Sequence, residues 1–161
     1  MSGLSFSEIT LDHLEDIATL HSKVLSWSPT GKLGRKHVRD LYQTLFESQA
    51  FFGFTCYLGS DLIAFVTATT DYCAIRPRVQ TVFEGKILEI GLNAVFSPID
   101  FLILFESRFC IPKIFRRFDT SAEWLTLISD PQHQMFYSAA SIVLVKKMNR
   151  KFLELGFSNY L

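Results

Sequence analysis

Two strand-like segments in the middle of the sequence constrain the fold most. Phe51 to Leu58 and Leu62 to Thr70 are rich in Phe, Tyr, Val, Ile and Thr, the residue types that favour strands. They flank Gly59-Ser60-Asp61, a short run of turn-forming residues. The pattern predicts a β-hairpin, and therefore an antiparallel sheet that contains at least these two strands.

Periodicity on both sides of the hairpin predicts the other strands and the helices that cover the sheet. Thr10 or Asp12 caps the first helix, with Glu15 in a capping box. His21 lies on the apolar face of that helix, and we interpret it as a core or edge histidine. The predicted elements, in chain order, are a strand at 5–9, a helix to Leu25, a loop at 27–34, a helix at 35–48, the hairpin, helical segments at 78–96 and 99–118, a strand at 124–129, a helix at 138–155 and a strand at 157–161. This order predicts an α/β (α+β) domain with a mixed sheet flanked by helices.

Composition excludes several classes of protein. The 161 residues suit a single domain, 1–161, and a zero net charge gives no reason to expect nucleic-acid binding. The three cysteines lie far apart without the spacing of metal ligands, so we expect no metal site. An odd cysteine count without a signal peptide indicates the cytoplasm. The most apolar stretch, 87–105, is interrupted by polar residues and predicts no membrane span.

The segment from Glu123 to Ala139 is the best candidate for a functional site. A compact apolar strand ends at Asp130-Pro131, and a polar turn then leads into a helix. Unpaired N–H groups at a helix N-terminus, together with the helix dipole, attract anions. The segment has neither the lysine of a P-loop nor the glycines of a GxGxxG motif, which excludes nucleotide sites of those two kinds.

Nearly the whole chain resembles the GNAT superfamily, the acyl-CoA-dependent N-acyltransferases. Residues 123–131 are similar to the fourth strand of that family, which often reads Glu-Leu-x-x-Ile-x-Val-Asp-Pro. Gln134-x-x-Tyr137-x-Ala139 is similar to its pyrophosphate loop, Gln/Arg-x-x-Gly-x-Gly/Ala. The hairpin resembles that of a subgroup with a helical insertion, here at about 75–118, before the fourth strand. Residues 149–157 also resemble a later family motif, but the length of the last helix favours the first alignment.

The resemblance implies a GNAT-like, mainly antiparallel sheet and transfer of an acetyl or other acyl group to an amine of a small molecule or a protein. It implies that acetyl-CoA or another acyl-CoA lays its pantetheine arm along Leu127, Ile128 and Ser129. The pyrophosphate would then bind backbone N–H groups of the next segment, which comprises Gln134, Met135, Phe136, Tyr137, Ser138 and Ala139. Glu123 is the candidate base. Tyr160 or Tyr137 is the candidate proton donor, because the family supplies its usual tyrosine from a later segment.

Departures from the family pattern keep other hypotheses open. Tyr137 stands where the family has the central loop glycine, and Met135 stands where another glycine is frequent. The alternative is therefore a catalytically impaired GNAT-like binding or interaction module. A third hypothesis is a fatty-acyl transferase with the Phe-rich insertion as its acyl groove. The family sheet continues beyond its fifth strand, so an uncovered strand at 157–161 predicts a homodimer or larger homo-oligomer.

Overall fold

The computed structural model describes residues 3–84 and 121–160. Four strands form a sheet in this part of the chain: β1 (Leu4–Glu8), β2 (Phe51–Leu58), β3 (Asp61–Thr69) and β4 (Glu123–Ser129). They lie side by side in that order, and each neighbouring pair is antiparallel. The hairpin predicted from the sequence is confirmed, and it forms the middle of the sheet.

Helices cover both faces of the sheet. The five helices within the described ranges are α1 (Leu14–Val24), α2 (Pro29–Lys32), α3 (Arg35–Phe46), α4 (Tyr72–Glu84) and α5 (Gln134–Glu154). Short 3-10 turns at Leu11–His13 and Pro131–His133 precede α1 and α5. The core on one face is built from α1, α3 and α4, and the core on the other face is built from α5.

Helical spacing explains how α1 and α3 bury one side each. Four of the five buried residues of α1, namely Leu14, Ile17, Ala18 and His21, follow the i, i+3, i+4, i+7 pattern of a single helix face, and Leu20 is the fifth. On α3 the buried residues are His37, Val38, Leu41, Tyr42 and Leu45. The two stripes meet each other and Phe65 of β3, and they close the core on this face.

The opposite core depends on small side chains in the sheet. Ala64, Val66 and Ala68 of β3 are fully buried beneath α5. The helix presents Ala140, Leu144, Met148 and Phe152, which are four residues apart and so lie on one face. Small residues on the sheet let the helix approach closely, and this fixes where its N-terminus lies relative to β4.

Several boundaries differ from those predicted. The last helix begins at Gln134 instead of Ser138, because Pro131 and the 3-10 turn start the helical backbone early. The loop at 27–34 contains α2, in which Ser28 caps the helix by accepting from Gly31 N–H. The helix expected from residue 78 already begins at Tyr72. The proposed single domain with an insertion at about 75–118 stays a prediction, since residues 85–120 lie outside the described ranges.

The strand predicted at 157–161 is wrong for the residues that can be examined, because 157–160 form no strand. Phe157 and Tyr160 instead pack against Phe152 of α5. The homo-oligomer stays a prediction, but it loses the support of an uncovered C-terminal strand. Within 3–84 and 121–160, no helix has both the length and the apolar character needed to cross a bilayer.

Candidate functional site

A β-bulge distorts β4 in the segment where the resemblance places the acyl-CoA. Thr67 of β3 is paired with Thr126, but the next residue, Ala68, is paired with Trp124. Leu125 is therefore the extra residue of β4. A bulge bends its strand and redirects the neighbouring side chains. Trp124 packs with the α5 core and Leu125 packs with the core of α1 and α3, as expected for consecutive strand residues.

The outer edge of β4 pairs with no other strand of the described ranges. Leu127, Ile128 and Ser129, the three residues predicted to line the pantetheine arm, lie together at the end of this strand. Leu127 is 42% exposed, whereas Ile128 and Ser129 are buried. An edge strand offers backbone N–H and C=O groups to an extended ligand. The geometry is compatible with the predicted role, which stays a prediction.

Glu123, the candidate base, opens β4 in a partly buried position. Burial raises the pKa of its carboxyl from 4.5 to about 7. Its Oε2 atom is buried and has no hydrogen-bond partner in the described part of the chain. The pKa of Tyr72 is also raised, first by burial and then by the charge of Glu123, so the two side chains lie near each other. A carboxyl group with a pKa close to neutrality is suited to proton transfer.

The turn between β4 and α5 is fixed by a buried carboxylate. Asp130 is 5% exposed and lies 2.7 Å from Lys23 Nζ of α1. Burial alone would raise the pKa of Asp130, but hydrogen bonds from Lys23 and from Gln132 N–H outweigh burial and lower that pKa. Lys23 also donates to Gln132 Oε1 at 2.8 Å. These contacts tie α1 to the start of α5 and set the direction of that helix.

The segment predicted to bind pyrophosphate forms the first turns of α5. Gln134, Met135 and Phe136 are its first three residues, so their N–H groups have no acceptor inside the helix. The remaining predicted residues, Tyr137, Ser138 and Ala139, also lie within the helix and are exposed. Met135 is 91% exposed and Tyr137 is 47% exposed. The segment is therefore a helix N-terminus instead of the open loop expected from the resemblance, and its cofactor role stays a prediction.

Tyr160, the other candidate catalytic residue, lies beside the C-terminal half of α5. Its ring stacks on Phe152 with 4.3 Å between ring centroids, and its hydroxyl donates to Asn149 Oδ1 at 2.8 Å. Glu123, in contrast, lies beside Tyr72 at the start of α4. The described contacts therefore join Tyr72, and not Tyr160, to the candidate base.

A cavity of about 230 Å³ lies between the sheet and the helices α1, α2, α3 and α4. Leu125 and Thr126, at the bulge of β4, form part of its wall, as does Tyr72. The full lining is His21, Thr30, Leu41, Tyr42, Leu45, Thr67, Tyr72, Ile75, Arg76, Val79, Leu125 and Thr126. The cavity therefore adjoins the strand that carries the candidate base.

Most of the polar residues in this cavity carry no functional signal in the sequence. His21 was expected to be buried, and it is 6% exposed, but its contacts could not be predicted. Its Nδ1 atom lies 2.9 Å from the hydroxyl of Tyr42, a residue 21 positions away. Tyr42 and Thr67 gave no functional signal in the sequence, because tyrosine on a helix and threonine in a strand are ordinary core residues. Across the described residues, no group of three or more His, Cys, Asp or Glu side chains could hold a metal ion.

No protein-family model and no curated protein matches the sequence. The structure is similar to the crystal structure of the ribosomal-protein-alanine N-acetyltransferase from Brucella melitensis biovar Abortus 2308, with a TM-score of 0.53. The similarity covers 99% of this chain and 78% of that protein, at 10% sequence identity. The fold is GNAT-like. At this identity the similarity establishes the arrangement of strands and helices alone.

Proposed function

We propose that this protein is an N-acyltransferase that moves an acetyl or other acyl group from acyl-CoA to an amine. The observation that carries the proposal is the partly buried carboxyl of Glu123, whose pKa is about 7, at the start of a bulged edge strand in a GNAT-like fold. The N-acetyltransferase activity of the structural neighbour supports the same class of reaction.

In this proposal Glu123 accepts the proton of the attacking amine. A base whose pKa lies near the working pH is both available and strong enough to drive the transfer. Holding the amine next to the thioester supplies much of the remaining rate. The departing thiolate takes up a proton, and the hydroxyl of Tyr72 lies near Glu123, where it can donate one. Tyr72 is therefore the proton donor we favour, with Tyr160 as the alternative.

The outer edge of β4 and the N-terminus of α5 would hold acetyl-CoA or another acyl-CoA. Leu127, Ile128 and Ser129 supply the strand edge for the pantetheine arm. The first N–H groups of α5, at Gln134 and the two residues after it, supply donors for the pyrophosphate. The exposed side chains of Met135 and Tyr137 project from this same turn, and they restrict the approach of a phosphate group.

That restriction favours a second function, a GNAT-like module that binds a ligand without transferring an acyl group. The helical backbone from Gln134 onward replaces the open loop on which the resemblance to acyl-CoA-binding proteins depends. The two functions differ in whether the protein binds acyl-CoA at all.

Calorimetry with acetyl-CoA and with a long-chain acyl-CoA separates the two functions. We expect Gln134→Pro to weaken binding about threefold to tenfold, because proline removes one backbone donor yet is tolerated in the first turn of a helix. Gln134→Ala is the matched control, since it keeps the N–H group and should bind like the unaltered protein. Absence of binding by the unaltered protein would exclude the transferase and leave the binding module.

The role of Glu123 is tested by acyl transfer to a panel of amines and amino-terminal peptides. Glu123→Gln should lower kcat/KM by about 10²- to 10⁴-fold, the usual contribution of a general base. In the unaltered protein kcat/KM should rise with pH and level off above the pKa of about 7. Transfer that persists in Glu123→Gln with the same pH profile would assign the base to another group.

A further inference from the structure

The cavity beneath the bulge of β4 contains two buried hydrogen-bonding atoms without a partner. Nε2 of His21 and Oγ1 of Thr67 each lack a hydrogen bond within the described residues. The side chains are deeply buried, with 6% of His21 and 0% of Thr67 exposed, and both line the cavity. Leaving a buried polar atom unpaired is destabilising, so two such atoms in one cavity need an explanation.

The hydrogen bond between Tyr42 and His21 determines whether Nε2 of His21 is a donor or an acceptor toward the cavity. Tyr42 Oη lies 2.9 Å from His21 Nδ1. A phenol is a stronger acid than the N–H group of a neutral imidazole, and an imidazole nitrogen is a stronger base than a phenol oxygen. The Tyr42 hydroxyl therefore donates to Nδ1 of His21. Neutral His21 then carries its proton on Nε2, which is a donor facing the cavity.

The other groups in the cavity wall favour an uncharged occupant. Burial lowers the pKa of His21 to about 4, so the ring is neutral near pH 7. Most of the remaining wall is apolar, formed by Leu41, Leu45, Ile75, Val79 and Leu125. Arg76 is the one charged side chain among the described lining residues.

We propose that this cavity binds a small, uncharged, largely apolar molecule through one carbonyl oxygen, which accepts hydrogen bonds from His21 Nε2–H and from the hydroxyl of Thr67. The carbonyl belongs to a ketone or an amide, and the hydrocarbon part lies against the leucine, isoleucine and valine side chains. This site does not depend on acyl-CoA binding and holds for either function proposed above.

Four small probes test the proposal with the unaltered protein. Acetophenone carries the carbonyl acceptor, ethylbenzene has nearly the same shape without it, benzoate is anionic, and 1-phenylethylamine is cationic. We expect acetophenone to bind about fivefold to 100-fold more tightly than ethylbenzene, the affinity that two hydrogen bonds add. In protein labelled with ¹⁵N-histidine, acetophenone should shift the His21 Nε2 signal, and ethylbenzene should leave it in place.

Substitutions in the cavity wall test which side chains donate hydrogen bonds to the carbonyl oxygen. Thr67→Val removes one hydroxyl at constant shape and His21→Leu removes the ring N–H group, so each should reduce the preference for acetophenone over ethylbenzene. His21→Gln keeps a side-chain N–H group near the position of Nε2 and should retain more of that preference than His21→Leu. Thr55→Val is the matched control, because Thr55 is also fully buried in the sheet but does not line the cavity. Near-ultraviolet circular dichroism checks that each variant is folded.

Equal affinity for acetophenone and ethylbenzene, or binding of neither, would overturn the proposal in the unaltered protein. Tighter binding of benzoate than of acetophenone would also overturn the proposal, since the cavity would then recognise an anion through Arg76. Tighter binding of 1-phenylethylamine would overturn it by pointing to a negatively charged recognition group.

Discussion

The two faces of the sheet are built on opposite principles. Beneath α5, the small residues Ala64, Val66 and Ala68 meet Leu144 and Met148, and all five side chains are completely buried. Dense apolar packing of this kind contributes stability in proportion to the area removed from water. This face carries the helix that follows β4, and its close packing fixes the N-terminus of that helix against the strand.

The face covered by α1, α3 and α4 is packed less completely. It contains the cavity of about 230 Å³, the bonded pair of His21 and Tyr42, and the unpaired hydroxyl of Thr67. Empty volume and unpaired buried polar atoms both reduce stability. The contrast between the faces indicates that one stabilises the fold and the other is shaped to bind.

The largest expected effect comes from a truncation on the α5 face. Phe152 is completely buried and contacts the rings of Phe52, Phe157 and Tyr160. Phe152→Ala should lower the free energy of unfolding by about 3–5 kcal/mol. Leu45→Ala, in the cavity wall, should cost only about 2 kcal/mol, since the cavity already leaves that side chain with fewer contacts.

Urea denaturation measures both losses. Leu153→Ala is the control on α5, because Leu153 is 67% exposed and its loss should change stability by less than about 0.5 kcal/mol. A loss for Leu45→Ala as large as that for Phe152→Ala would show that the two faces are packed equally tightly.

The next effect concerns how stability depends on pH on the cavity face. The pKa of Glu123 is raised from 4.5 to about 7, so its contribution to stability is present at low pH and is lost as pH rises through 4.5 to 7. The pKa of His21 is lowered from 6.5 to about 4, so its contribution is lost as pH falls through 6.5 to 4. Between pH 4.5 and 6.5 the two slopes oppose each other.

Two single variants should therefore show opposite slopes of stability against pH. In Glu123→Gln, stability should rise with pH between 4 and 6.5 because of His21. At pH 8 this variant should be more stable than the unaltered protein by about 1–2 kcal/mol, after allowance for solvent screening, because it lacks the buried carboxylate. In His21→Gln, stability should fall with pH between 4.5 and 7 through Glu123. Thermal melts across this range measure the slopes, and identical slopes in both variants would contradict the two pKa shifts.

The smallest expected effect is the difference in stability change between substitutions of two buried threonines in adjacent strands. Thr55 Oγ1 lies 2.8 Å from Ser7 Oγ, whereas Thr67 Oγ1 faces the cavity unpaired. Thr55→Val should cost about 1 kcal/mol because it removes a hydrogen bond, and Thr67→Val should gain about 1 kcal/mol because it removes an unsatisfied group. Chemical denaturation of both variants measures whether each substitution lowers or raises the free energy of unfolding. A loss in both would mean that Thr67 is already hydrogen-bonded in solution.

Much of the fold was predictable from local patterns in the sequence. The hairpin at 51–58 and 61–69 follows from two runs of strand-forming residues around a turn, and α3 follows from its helical spacing. The start of α5 was placed four residues late, because the sequence does not reveal that the turn after Asp130 is already helical. The described residues 157–160 of the strand predicted at 157–161 form no strand, and the rings of Phe157 and Tyr160 pack against Phe152.

Some features of the candidate site were likewise predictable from the sequence, and others required the tertiary structure. The sequence by itself determined the apolar strand that begins at Glu123, the polar turn after it and the burial of His21, because each follows from residue type and local spacing. Only the tertiary structure decided that Glu123 lies near Tyr72, that His21 bonds to Tyr42, and that Thr67 faces a cavity. These contacts join residues far apart in the chain, and they depend on the β4 bulge and on how closely each helix packs. A pKa shift or an unpaired donor arises from that three-dimensional surrounding, which no local pattern encodes.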